Sequence, residues 1–161
     1  MNTDSHNLWL HLMLLQLLQQ NQTDPLTGLL NRRGFNETLQ QLHTAAQRYQ
    51  RPLSLVLIDV QNLKATNNQH GHPAGDQRLQ QLAQTLQQHK RTSDYAARIG
   101  GDEFALLLPE TNETQAQQAM QRMQQQLNRQ EIAIHIGIAT HPSPDLYAEA
   151  DRQLKKRKEN T

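Results

Sequence analysis

The sequence predicts an α+β fold, a β-α-β-β-α-β ferredoxin-like core with further helices before and after it, and three patterns carry that prediction. Residues 53–60, Leu-Ser-Leu-Val-Leu-Ile-Asp-Val, form a short aliphatic and β-branched run of the kind that fills a central strand covered on both faces. Residues 98–104, Arg-Ile-Gly-Gly-Asp-Glu-Phe, set two glycines between apolar stretches, Ala96-Ala97 before and Ala105-Leu106-Leu107-Leu108 after, and read as a β-hairpin. The glutamine-rich stretches between these runs keep apolar residues at helical spacing, so glutamine marks the solvent faces of helices rather than a disordered tract.

Taken in order, residues 8–18 hold nine apolar residues in eleven, interrupted only by His11 and Gln16. A membrane span needs roughly 20 residues and a leader needs a small-residue cleavage site. This segment has neither, and membrane contact is not expected. Leu8, Leu12 and Leu15 stand at heptad-like spacing, which suits a pairing helix or the end of a coiled-coil stalk. Packing on its own domain and a remnant of a membrane anchor are the other two readings. Residues 1–22 are therefore set apart from a domain over residues 23–161.

Beyond that arm, a helix is expected over 31–49, a strand over 53–59 and a helix over 74–89. The hairpin strands follow near 95–99 and 103–108, then a helix over 113–128, a strand over 131–139 and a final helix from 145.

Composition narrows the function. A chain of 161 residues can bury one self-sufficient core. With no cysteine, disulfides and thiolate zinc sites are excluded, and a reducing cytoplasm is the natural compartment. The net charge of +1 gives no electrostatic support to nucleic-acid binding.

The chemistry gathers around the hairpin. Gly100 and Gly101 permit positive φ and carry no Cβ to block an approaching phosphate or base. Strand alternation would send Asp102 and Glu103 to opposite faces, with different tasks. Asp59 ends the predicted central strand, where a buried carboxylate is costly unless it meets a cation. Asp59 and Asp102 on neighbouring strands would offer oxygen ligands to Mg²⁺ or Mn²⁺.

At this point a resemblance is plain. Residues 24–35 read Asp-Pro-Leu-Thr-Gly-Leu-Leu-Asn-Arg-Arg-Gly-Phe, close to DxLTGLxNRRxF. Residues 59–68 read Asp-Val-Gln-Asn-Leu-Lys-Ala-Thr-Asn-Asn and run on to Gly71-His72-Pro73-Ala74-Gly75-Asp76, which resembles DxDxFKxxND followed by GHxxGD. With the hairpin heptad these are three blocks in order between Asp24 and Lys158, and the chain resembles the GGDEF-domain diguanylate cyclases. The resemblance implies a palm-like nucleotidyl-cyclase fold with a mostly antiparallel central sheet flanked by helices. It also implies an antiparallel homodimer that joins two GTP into cyclic di-GMP and releases two pyrophosphates.

The same resemblance assigns tasks. Asp59, the Val60 carbonyl and Asp102 match the metal-holding positions, and Glu103 is the further catalytic candidate, as base or as a structural acid. Asn67 and Asp76 match the guanine-reading positions, with a turn residue and a helix N-cap as their structural readings. The backbone at Asn62 and Leu63, with Lys64, Gly100 and Gly101, would lie along the nucleotide. Lys158 matches a lysine that meets the γ-phosphate, although its basic run also suits a solvated helix end. Arg91-Thr92-Ser93-Asp94 matches an RxxD product-inhibition site, to which Arg122 adds a second arginine.

Five departures stand against these matches. Gln61 replaces the second acid of DxD, Leu63 replaces Phe, and Asn68 replaces Asp. Thr161 stands where the family begins a Gly-Arg-Asn ending, and Lys155 replaces the usual tyrosine of the last helix. They leave open a degenerate domain acting as a GTP or cyclic di-GMP sensor or interaction module. A cyclase of altered base preference on the same fold is a third reading.

Overall fold

The computed structural model describes residues 3–161. Its elements are α1 (Thr3–Gln20), α2 (Arg32–Tyr49), β1 (Leu53–Val60), α3 (Leu63–His70), α4 (His72–His89), β2 (Tyr95–Arg98), β3 (Glu103–Pro109), α5 (Glu113–Arg129), β4 (Ile134–Thr140) and α6 (Leu146–Glu159). The four strands form one sheet in the order β2-β3-β1-β4, every neighbouring pair antiparallel. This is the expected α+β arrangement, with β1 and β3 at the centre.

β1 is buried along all eight residues because both faces of the sheet are covered. Val56, Ile58 and Val60 point into a core made with Leu79, Leu82 and Leu86 of α4 and Met120, Met123 and Leu127 of α5. Leu53, Leu55 and Leu57 point the other way, against Phe35 and Ala46 of α2 and Leu146, Ala150 and Leu154 of α6. Gly137 makes the second contact close: a Cβ there would stand 2.0 Å from the Ala150 carbonyl oxygen and 2.7 Å from the Leu154 nitrogen. α6 can lie against β4 only because that side chain is missing.

Two expectations need correction. α3 was not foreseen, because none of its eight residues is fully buried and they leave no apolar periodicity to read. Gly71, at φ 84°, then breaks the chain between α3 and α4. β4 begins at Ile134 rather than 131, since Glu131 takes a left-handed φ of 58° as the chain turns out of α5.

The helix at the N-terminus runs over Thr3–Gln20, longer than the apolar run itself. Leu8, Trp9, Leu12 and Leu15 are between 51% and 65% exposed, so packing on its own domain is not what this helix does. Among the described residues no helix is long and apolar enough to cross a membrane.

Candidate active site

The sheet register assembles the site. Asp59 stands opposite Glu103 of β3 on one side and His135 of β4 on the other. Directly opposed residues of antiparallel strands share a face, so Glu103, Asp59 and His135 form a row at the end of the face that α6 covers. The Asp102 carbonyl accepts the Val60 N–H at 3.0 Å, which ties the hairpin turn to the end of β1.

As a result Asp59, Asp102 and Glu103 each bring a carboxylate oxygen within 4.8 Å of the other two. The expected divergence of Asp102 and Glu103 is corrected: β3 begins at Glu103, Asp102 belongs to the turn, and strand alternation does not extend to it. Three carboxylates at this spacing repel one another, and Asp59 is only 8% exposed. An all-oxygen, anionic donor set fits a hard divalent cation such as Mg²⁺ or Mn²⁺.

Lys158 reaches the same place from the last turn of α6, its Nζ 2.7 Å from Asp59 Oδ2. That hydrogen bond is the main reason its ammonium is held above the ordinary lysine pKa, with the charges of Asp59, Asp102 and Glu103 adding to it against the cost of burial.

The glycines act by absence of bulk. Positive φ among glycines occurs at Gly28 and Gly71, so Gly100 and Gly101 do not use the left-handed freedom expected of them. A Cβ on Gly100 would stand 3.1 Å from Glu103 Oε2, whereas one on Gly101 would meet nothing within 4 Å. Gly100 therefore makes room for the Glu103 carboxylate, and Gly101 leaves an open approach.

Arg98 was missed in the sequence. It donates to the Gly101 carbonyl from Nε at 3.2 Å and Nη2 at 2.9 Å, and from Nη1 to Asp24 at 3.2 Å. It thereby fastens the turn to the segment before α2. Burial pushes the Asp24 carboxyl up, but the Thr27 hydroxyl and backbone N–H together with Arg98 outweigh it and hold the pKa below 3.8. The only sequence signal was an arginine at the foot of the hairpin and an acid opening the first block.

The second block folds as α3 and the start of α4. Asn62 precedes α3 in the left-handed region at φ 60°, with its side chain and that of Lys64 exposed, while Leu63 packs against the core. Asn67 lies inside α3, which excludes its turn reading, and the N-cap of α4 is Gly71, which excludes that role for Asp76. The Asn67 amide rests against Gly75, where a Cβ would stand 1.9 Å from Oδ1, and Oδ1 is buried without a hydrogen-bond partner. Gly75 is thus a site residue that the sequence reading did not single out.

Away from the acids, Arg91, Asp94 and Arg122 line one pocket of about 220 Å³ with Thr111 and Gln118. Asp94, 5% exposed, accepts the Arg91 backbone N–H at 2.9 Å and Nη2 at 3.2 Å. Arg91 Nη2 also donates to the Pro109 carbonyl at 2.9 Å and to Thr111.

Comparison with known proteins agrees with this geometry. Residues 21–161 match the family model described as diguanylate cyclase, GGDEF domain. The chain is 35% identical over 96% of its length to YhcK of Bacillus subtilis, and 31% identical over 90% to a diguanylate cyclase of Vibrio cholerae. It spans 47% and 49% of those two relatives. Among solved structures, diguanylate cyclase SiaD of Pseudomonas aeruginosa, in complex with its activator SiaC, superposes with a TM-score of 0.78 at 28% identity, covering 98% of this chain and 66% of that one. A microbial GGDEF domain studied with cyclic di-GMP superposes with a TM-score of 0.79 at 32% identity, covering 86% of this chain and 94% of that one. The chain belongs to the GGDEF-domain diguanylate cyclase family.

Proposed function

We propose that the chain is a diguanylate cyclase, condensing two GTP into cyclic di-GMP with release of two pyrophosphates. The observation that carries this reading is the convergence of Asp59, Asp102 and Glu103 beside Lys158. A domain that only bound product would have no use for three mutually repelling acids.

Asp59 and Asp102, with the Val60 carbonyl, would hold Mg²⁺ or Mn²⁺. The ion supplies charge neutralisation of the triphosphate and polarisation of the α-phosphate. Lys158 binds the terminal phosphate and gives up its contact with Asp59 to do so. Glu103, one residue from Asp102, is placed to act on the attacking 3′-hydroxyl. Asn67 and Asp76 read guanine, the amide and the carboxylate answering O6 on one side and N1–H and N2–H₂ on the other. The unpartnered Oδ1 of Asn67 supports that assignment. Asn62, Leu63, Lys64, Gly100 and Gly101 line the nucleotide.

One domain presents one GTP, so catalysis requires a homodimer with the two nucleotides facing each other. Residues 1–22 form an arm separate from the cyclase domain over 23–161, and its exposed helix raises the effective concentration of the two halves. Arg91, Asp94 and Arg122 form the product-inhibition site.

The test is incubation of the purified chain with GTP and Mg²⁺ over a range of protein concentrations, beside an Asp102→Ala variant. Cyclic di-GMP from the parent alone, at a rate rising faster than protein concentration, is expected. Binding of cyclic di-GMP without turnover by the parent would favour a sensor, the reading that the Arg91 pocket supports by itself.

A further inference from the structure

Two of the positions at which this chain departs from the family pattern, Gln61 and Thr161, meet at His135. His135 Nε2 lies 2.9 Å from Gln61 Nε2 and 3.1 Å from Thr161 Oγ1. Thr161 Oγ1 donates to the Arg157 carbonyl at 2.9 Å, so toward His135 it accepts. With Thr161 accepting, Nε2 carries the imidazole proton, and a half-turn of the Gln61 amide brings its Oε1 to share that N–H. His135 itself belongs to the row with Asp59 and Glu103.

The consequence lies in α6. Leu154 is its last buried residue, and residues 155–161 are all exposed. Such a helix end frays unless something holds it. Beyond Leu154, the hydrogen bonds and ion pairs that tie this segment to the sheet, among the described residues, are Lys158 to Asp59 and Thr161 to His135. The first must break when Lys158 turns to a phosphate. The second need not.

We propose that His135 is a positioning residue for the nucleotide: by joining Gln61 to Thr161 it fixes the last turn of α6, and so aims the Lys158 ammonium at the terminal phosphate of a bound triphosphate. The inference rests on the cyclase reading of Lys158. It supplies an anchor for the helix end in the place where the family's ending differs.

The test is equilibrium binding, with Mg²⁺, of a non-hydrolysable GTP analogue and of GDP to the full chain and to His135→Ala, His135→Gln, Lys158→Ala and the double alanine variant. For His135→Ala, affinity for the triphosphate should fall about tenfold while that for GDP changes less than about twofold. His135→Gln, which keeps a polar group near the Nε2 position, should recover most of the loss. The double variant should bind the triphosphate no worse than Lys158→Ala alone, because both changes remove one function. Equal losses for GTP analogue and GDP, an unchanged triphosphate affinity in a folded His135→Ala protein, or additive losses would each overturn the proposal. A parent chain that binds neither nucleotide overturns the cyclase reading and this inference with it.

Discussion

The acid cluster and the arginine pocket are both built from charged side chains at the rim of the sheet, yet their electrostatics are opposite. In the pocket every strong contact is between unlike partners: Asp94 takes three hydrogen bonds from Arg91, whose Nη2 also reaches Pro109 and Thr111. At the acid end three carboxylates converge, and Lys158, 40% exposed at its side chain, is bonded to Asp59 alone among them. The pocket is stable as it stands, whereas the acid end carries stress that a metal ion and a triphosphate would relieve.

That contrast can be broken by substitution. The largest effect should come from Asp102→Ala, which is expected to lower cyclase activity at least about 100-fold, as loss of a metal-holding acid commonly does. Without divalent cation its thermal midpoint should stay level or rise, because the variant removes a repelling charge. A clear fall would mean that Asp102 serves the fold rather than the reaction.

Next in size is Gly75→Ala. A methyl group there would stand 1.9 Å from Asn67 Oδ1 and displace the amide, so the KM for GTP should rise about tenfold with a smaller change in kcat. An unchanged KM would remove Asn67 from the guanine site.

At the pocket the order of effects reverses. Arg91→Ala should cost about 1–3 kcal/mol in unfolding free energy, because it leaves buried Asp94 without its guanidinium partner. It should also shift inhibition by cyclic di-GMP to higher concentration while leaving the uninhibited rate near that of the parent. An unchanged inhibition curve would confine Arg91 to a structural role.

The smallest effect concerns the brace between the two blocks. The Asp24 carboxyl is held below 3.8 in the fold, so its ionised form contributes stability above that pH, and the contribution is lost as pH falls through the folded value. Asp24→Asn should therefore cost about 1 kcal/mol near neutral pH, and the two proteins should converge in acid denaturation. A constant difference down to low pH would assign the loss to shape rather than charge.

Much of the fold was legible because it follows from local pattern. The aliphatic run of β1 could only be a strand covered on both faces, and the amphipathic spacing of α2, α4 and α5 survived their high glutamine content. α3 was not legible, since a helix with no fully buried residue and Leu63 as its one apolar anchor leaves no period in the sequence. At the site, Asp59, Asp102 and Glu103 could be nominated as single residues from their motifs. Their convergence could not, because it depends on which strand pairs with which and on how the turn that carries Asp102 is tied to the end of β1.

By itself the sequence determined the element types, the family blocks and the absence of cysteine chemistry, all of which are set by residue identity and short-range spacing. Tertiary structure alone decided that Arg98 braces Asp24 to the hairpin turn, that Gly75 makes room for Asn67, and that His135 joins Gln61 to Thr161. The physical reason is common to all three. Arg98 to Asp24, Asn67 to Gly75 and His135 to both its partners each span at least eight residues, and only the docking of strands and helices against one another brings such partners within hydrogen-bond or van der Waals reach.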